Sequence, residues 1–313
     1  MQVYPRIPVN PGREGPAGSW GLAARAPASS WLGSVAQLTK LQVAVPAACS
    51  AATGYLVFSR SADSGAATAS LGVLLLAMGA CALNQVQDRK LDAQMGRTRM
   101  RPIPAGRMKP RAALAVAVPL IVGGFVLLWR QHNLVAALMG LGTVGWYNGA
   151  YTYLKRMTAA AVIPGAVIGA LPPVIGWTAA GGRPLDPHGL ALAFFFFVWQ
   201  VPHFWLLLLA FKGDYERAGL PSLTKRFTRR QFTSVVFIWM LTMVAASVLL
   251  PIYLPMSSLW ISLGLVACGL WMVWEASKLQ RAFLPDRYFF PAFRAINIYV
   301  FLVMALLIAD AML

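Results

Sequence analysis

Stretches of about 20 apolar residues, each long enough to cross a hydrocarbon core of about 30 Å as a helix, recur along this 313-residue chain and constrain it more than any other feature. Nine such spans are predicted, over 36–58, 66–85, 112–129, 134–153, 160–180, 189–211, 232–251, 257–276 and 292–311. Polar punctuation separates several of them, at Arg60 to Gly65, Trp129 to Asn133 and Gly181 to His188. The runs are too long for strands and lack the alternation of a transmembrane β-barrel. The predicted fold class is therefore all-α, a polytopic membrane bundle. Charged residues make up 12% of the chain, roughly half the ~25% of a soluble domain, so most of its surface needs lipid as solvent. An apolar fraction of 58% also excludes disorder for most of the chain, and three scattered thiols, Cys49, Cys81 and Cys268, exclude a disulfide scaffold.

The charge that remains is lopsided: 27 basic side chains against 10 acidic, a net +17. Such an excess fits nucleic acid, an anionic surface, an anionic substrate or the topology rule for membrane proteins. Laid on the nine spans, all Lys and Arg but Arg60, Arg130 and Arg183 fall on the N-terminal side of the membrane. Topology accounts for most of the excess, and nucleic acid is not needed to explain it. The expected arrangement is a multi-pass protein of the cell (inner) membrane, N-terminus cytoplasmic and C-terminus outside; in a mitochondrion the basic side would be the matrix. Residues 1–35, rich in Pro, Gly, Ala and Ser, are expected as a disordered cytoplasmic arm rather than a transit peptide, and 36–313 as the membrane domain. Lys40 counts among the topogenic charges, at the membrane edge.

The acids are few enough that their positions carry information. Four of the ten, Asp88, Asp92, Asp214 and Glu216, lie on the basic side at the ends of the second and sixth spans. Asn84, Asp88 and Asp92 recur every four residues, which puts them on one helical face. Two carboxylates so placed either pair with nearby cations such as Arg89 and Arg97 or share a hard divalent cation such as Mg²⁺. A basic loop comes next, with Arg97, Arg99 and Arg101 before Pro102 and Pro104. Carboxylates beside guanidinium groups make a site for a diphosphate, the metal bridging the oxygens that Arg does not hold. The second cluster, Lys212-Gly213-Asp214-Tyr215-Glu216-Arg217, faces the same side, and Tyr151, Lys155 and Arg156 close the fourth span nearby; for Lys155 and Arg156, topogenic charge is the competing reading. His203 is the one histidine inside an apolar run, where a polar residue is a functional candidate or a helix-to-helix hydrogen bond. The aromatic run Phe194 to Phe197, with Trp199, Phe204 and Trp205, reads mainly as packing and lipid contact, and the pairs Gly145/Gly149 and Gly165/Gly169 as helix packing.

With these residues in view the chain resembles the UbiA superfamily of intramembrane prenyltransferases, and within it the haem-farnesylating branch. The superfamily's motif N-x-x-x-D-x-x-x-D is met by Asn84, Asp88 and Asp92. More particular to the haem branch are Met95, Arg97, Thr98, Arg101 and Pro102, then Tyr151 to Thr158, Pro172-Pro173 with Gly176-Trp177, Pro202-His203-Phe204-Trp205, and Asp214-Tyr215 with Ala218-Gly219 and Pro221. The resemblance covers about 36–311. The chain departs from it at Gly213, where a second acid is usual, and at Ala159, where Asn is common.

The resemblance implies nine transmembrane helices with two Asp-containing cytoplasmic loops, and farnesyl transfer from farnesyl diphosphate to a vinyl group of haem B to give haem O. It implies Mg²⁺ on Asp88, Asp92 and Asp214 with Asn84 ligating or orienting. Diphosphate contacts are implied from Arg97, Arg101, Lys155, Arg156 and Lys212, with Tyr151 and Tyr215 beside them. His203 is implied as a haem contact, with haem B a substrate rather than a cofactor. Haem A synthase or a terminal oxidase is a candidate protein partner. The rival enzyme is a UbiA-type prenyltransferase with an aromatic acceptor, such as a hydroxybenzoate or a menaquinone precursor. The rival from another class, a multi-span transporter, would place its ionisable groups near the bilayer midplane, whereas these acids sit at the membrane edge.

Overall fold

Each expected span is helical in the computed structural model, which describes residues 30–280 and 289–313. Most of the arm expected over 1–35 lies outside the described residues. Its end does not: α1 (Trp31–Thr39) begins there, with the Ser30 hydroxyl accepting from Gly33 N at 3.2 Å. The first span therefore divides at Lys40, whose φ of 48° and ψ of 59° end α1 and start α2 (Leu41–Ser59). Then come α3 (Ser64–Asp92), α4 (Pro110–Gln131) and α5 (Leu134–Gly145). A π-helical turn, Trp146–Tyr151, joins α5 to α6 (Thr152–Met157). The fifth span runs through a 3-10 turn (Ala159–Ala161), α7 (Val162–Gly165) and α8 (Val167–Ala179). The rest of the chain forms α9 (Pro187–Ala210), α10 (Lys212–Arg217), α11 (Arg229–Val248), α12 (Leu250–Tyr253), α13 (Leu259–Ser277) and α14 (Phe289–Met312).

Among the described residues eight helices are long and apolar enough to cross a membrane, and the chain is a multi-pass membrane protein. The fourth expected span, 134–153, is helical throughout, but the π turn cuts it into shorter pieces, and it is not among the eight. Helix ends are satisfied locally, as buried backbone demands. Asp63 Oδ1 accepts from Gly65 N at 2.8 Å at the head of α3, Asn133 Oδ1 from Ala136 N at 2.8 Å at the head of α5, and Thr228 with Gln231 forms a capping box on α11.

Close helix contact comes from glycines other than those the spacing pointed to. A Cβ on Gly54 would lie 1.9 Å from Pro173 O and one on Gly176 1.8 Å from Ala51 O, so α2 and α8 touch backbone to backbone. Nothing lies within 4 Å of the same position on Gly145 or Gly149, and Gly165 and Gly169 meet the side chains of Tyr151 and Gln200. The packing role expected for the Gly145/Gly149 pair is corrected: among the described residues no neighbouring helix meets either glycine. The aromatic run divides, Phe195, Phe196 and Trp205 entering the main core on α9 while Phe194 is exposed. His132, in the turn between α4 and α5, is partly enclosed, bridging Thr68 Oγ1 (2.9 Å) and Ala179 O (3.2 Å), and burial lowers its pKa.

Candidate active site

The side chains singled out in the sequence gather where the end of α3 meets α6 and the loop 93–109. Asn84, Asp88 and Asp92 share one face of α3 and all three are buried. Asn84 Nδ2 donates to Asp88 Oδ2 at 3.1 Å and to Thr152 Oγ1 at 2.9 Å. Lys155 Nζ pairs with Asp88 Oδ2, and Arg156 Nη2 with Asp88 Oδ1 at 2.7 Å. Arg101 Nη1 reaches both oxygens of Asp92, at 2.7 and 2.8 Å. The cations on these acids come from the loop after α3 and from α6, not from Arg89, which donates to Val86 O.

The π turn accounts for how α6 reaches this face. One extra residue in a helical turn rotates the next stretch of helix about the axis, and such turns recur at functional sites. Here Asn148, Thr152 and Lys155 share a face turned towards α3: Asn148 Nδ2 donates to Ala80 O (3.1 Å) and Gln87 Oε1 (2.9 Å), above the Asn84–Thr152 and Asp88–Lys155 contacts. Asn148, Thr152 and Gln87 were not among the candidates from sequence. Nothing in their types marks them, since hydrogen-bonding helix residues acquire a role only through the partner helix.

Asp214 ties the second cluster to the first. Its Oδ2 accepts from Arg97 N at 3.0 Å, joining α10 to the loop after α3, and its Oδ1 pairs with Arg217. The Arg97 guanidinium lies 5.0 Å from the centre of the Phe211 ring with no carboxylate on it among the described residues, and burial lowers its pKa. Lys212 stands apart, exposed and 3.7 Å from Glu216.

A cavity of about 400 Å³ opens among α2, α3, α5, α8 and α9. Its charged end is lined by Asp88, Asp92, Arg97, Arg101, Lys155 and Lys40; Tyr151, Tyr215, His203 and Phe204 line it as well, whereas Asp214, Arg156 and Lys212 do not. Burial raises the pKa of Tyr215. Along α3 the wall continues through Cys81, Ala80, Ala77 and Leu76 to Val73, about 28 Å of helix from Asp92 at 1.5 Å per residue. One face of a single helix thus changes from carboxylate to hydrocarbon. His203 packs between the rings of Trp199 and Phe293, each 4.8 Å away between centroids, and its Nδ1 is buried without a hydrogen-bond partner among the described residues.

Among the described residues no group of three or more His, Cys, Asp and Glu side chains converges. A site for a soft or tetrahedral ion is not built. Two oxygen donors one helical turn apart fit Mg²⁺, which takes one or two carboxylates and fills its octahedron with water and substrate phosphate oxygens.

Residues 43–307 match the UbiA prenyltransferase family. The chain belongs to that family. Among its UbiA relatives, a protoheme IX farnesyltransferase of Geobacter sulfurreducens is 43% identical over 203 residues, 65% of this chain and 75% of that protein. Another, of Oleidesulfovibrio alaskensis, is 33% identical over 279 residues, 89% of this chain and 96% of that protein. Solved structures share the UbiA fold at lower identity. A UbiA homolog from Aeropyrum pernix K1 superposes with a TM-score of 0.67 at 16% identity, over 84% of this chain and 97% of that one. One from Archaeoglobus fulgidus, bound to GPP and Mg²⁺, gives 0.60 at 11%, over 88% and 99%.

Proposed function

We propose that this chain transfers the farnesyl group of farnesyl diphosphate to a vinyl group of haem B, giving haem O. The observation that carries the reading is the gradient along α3: a buried pair of carboxylates with cations about them, continuous with an apolar channel that suits an isoprenoid tail. The names of the relatives supply the acceptor.

The costly event is heterolysis of the allylic C–O bond, which leaves negative charge on the departing diphosphate. Groups aimed at that charge stabilise it more in the transition state than in the ground state. Mg²⁺, held by Asp88 and Asp92, would supply Lewis-acid charge to the phosphate oxygens. Arg97 and Arg101 from the loop and Lys155 from α6 would bind the remaining oxygens, with Arg156 bracing Asp88 from outside the cavity. Asn84 would orient Asp88, to which it donates. Asp214 would hold the Arg97 loop against α10 and remains our third candidate metal ligand. Tyr151, stacked 6.2 Å from Phe204, and Tyr215 would shield the allylic carbon from bulk water. The terminal vinyl carbon attacks the allylic carbon, and water adds to the resulting porphyrin-stabilised cation and loses a proton, leaving a hydroxyethylfarnesyl group. His203, with its unpartnered nitrogen, would contact haem as axial ligand or through a propionate.

The test is mass detection of haem O from purified protein in detergent with Mg²⁺, farnesyl diphosphate and haem B. Prenylation of a phenolic acid instead, with no haem O, overturns the acceptor and keeps the prenyl-transfer chemistry.

A further inference from the structure

Lys40 belongs to neither aspartate motif, yet its side chain lines the charged end of the cavity. Its backbone is left-handed, φ 48° and ψ 59°. A side chain there costs energy that glycine would not, and asparagine is tolerated there better than lysine. Nothing about the break between α1 and α2 calls for an ammonium group.

The ammonium is also without a partner. Arg101 is committed to Asp92 and Lys155 to Asp88, whereas the Lys40 side chain makes no hydrogen bond or ion pair among the described residues. Burial, and then the charge of Arg101, lower its pKa to about 8, with Lys155 adding to the repulsion and Asp92 opposing it. Four basic groups, Lys40, Arg97, Arg101 and Lys155, therefore converge on a volume that holds two carboxylates; Arg97 lies over the Phe211 ring, and Lys40 has neither ring nor counter-ion among the described residues. Lys40 is half-buried, and an unpaired charge drawn even partly out of water is unfavourable unless an anion arrives to meet it. The N-terminus of α2, a 19-residue helix, adds partial positive charge at the same point, and Gln42 and Val43 of its first turn line the cavity.

We infer that Lys40 is a further binding residue for the diphosphate of the prenyl donor, sharing the charged lining of the cavity with Lys155 and Arg101. This rests on the prenyl-transfer reading. It places the donor's leaving group between α2 and α3, so the break in the first span is part of the site rather than a packing irregularity. Arg101 and Lys155 each already hold a carboxylate, whereas Lys40 has no bond to give up when an anion enters.

Two variants separate the ammonium from the backbone. Lys40→Gly keeps the left-handed break and removes the charge; Lys40→Arg keeps a charge. With full-length protein in detergent and Mg²⁺, binding of inorganic pyrophosphate is measured by calorimetry, and KM for farnesyl diphosphate and for haem B by steady-state kinetics. Lys40→Gly is expected to weaken pyrophosphate binding and raise the farnesyl diphosphate KM by about ten-fold or more, leaving the haem B KM within about two-fold, with Lys40→Arg recovering most of the loss. Wild-type pyrophosphate affinity in Lys40→Gly overturns the inference and leaves Lys40 a helix break. A rise confined to the haem B KM overturns it too, assigning the ammonium to a carboxylate of the acceptor. If the unaltered protein binds no pyrophosphate, the prenyl-donor reading itself fails, which the first two outcomes leave standing.

Discussion

Asp88 and Asp92 differ in what their loss exposes. Asp88 separates two cations, Lys155 and Arg156, whereas among the described residues Asp92 pairs with one, Arg101. Asp88→Asn and Asp92→Asn are each expected to lower kcat by about 10²–10³, the usual effect of losing one group that stabilises transition-state charge; turnover near wild type at saturating Mg²⁺ would refute their metal role. His203→Ala is expected to weaken haem B binding, measured by absorbance titration, while pyrophosphate binding is retained; unchanged haem affinity returns His203 to packing between Trp199 and Phe293. The acidic face was legible because Asn84, Asp88 and Asp92 repeat at the period of a helix, and that period needs no tertiary knowledge. Lys40 was not, because a lysine before a span already satisfies the topology rule. Thr152 and Asn148 were not, because their function lies entirely in contacts with residues 61 to 68 positions earlier.

The π turn Trp146–Tyr151 is the element on which the site's geometry depends most. Removing one residue, Gly149, would restore ordinary helix and turn α6 by about 100° relative to α5. Thr152 and Lys155 would then leave the face that meets Asn84 and Asp88. Nothing lies within 4 Å of a Cβ at Gly149, so the deletion meets no packed neighbour at that point. The expected outcome is a protein that inserts and elutes as wild type from detergent gel filtration but has lost activity to the extent that Asp88→Asn loses it. Activity near wild type would mean that α6 reaches α3 without the turn. Hydropathy marked 134–153 as an apolar helix, which the structure has in pieces, but carried no sign of the extra residue, since a π turn uses the same side chains as an α-helix. Spacing likewise misplaced the close helix contact, because a small residue permits approach only where a neighbouring helix exists; Gly54 and Gly176, which lie in no GxxxG pair, are where α2 and α8 meet.

Lys40 and Arg60 mark the two ends of α2, 19 residues and so about 28 Å apart, and both adopt left-handed backbone. The Lys40 end borders the cavity. At the Arg60 end a different network ties the bundle: Arg60 Nη2 pairs with Asp310 Oδ2 at 2.9 Å, and Asp310 Oδ1 accepts from Ser257 N (3.0 Å) and Ser258 N (2.9 Å). Three parts of the chain far apart in sequence, the end of α2, the turn before α13 and the last turns of α14, close on one buried carboxylate. Of the three basic residues that the topology rule leaves on this side of the membrane, Arg60 therefore has a structural reason to be there. Removing the carboxylate leaves the Ser257 and Ser258 N–H groups without an acceptor and strips the Arg60 guanidinium of its counter-ion, leaving it only Ser257 Oγ and Pro255 O among the described residues, a loss of about 1–3 kcal/mol. Asp310→Ala is accordingly expected to lower the thermal unfolding temperature in detergent while leaving both KM values unchanged, because neither Asp310 nor Arg60, Ser257 or Ser258 lines the cavity. A shift in KM for farnesyl diphosphate without loss of stability would instead mean that α2 moves as a rigid rod, carrying a disturbance at Arg60 to Lys40.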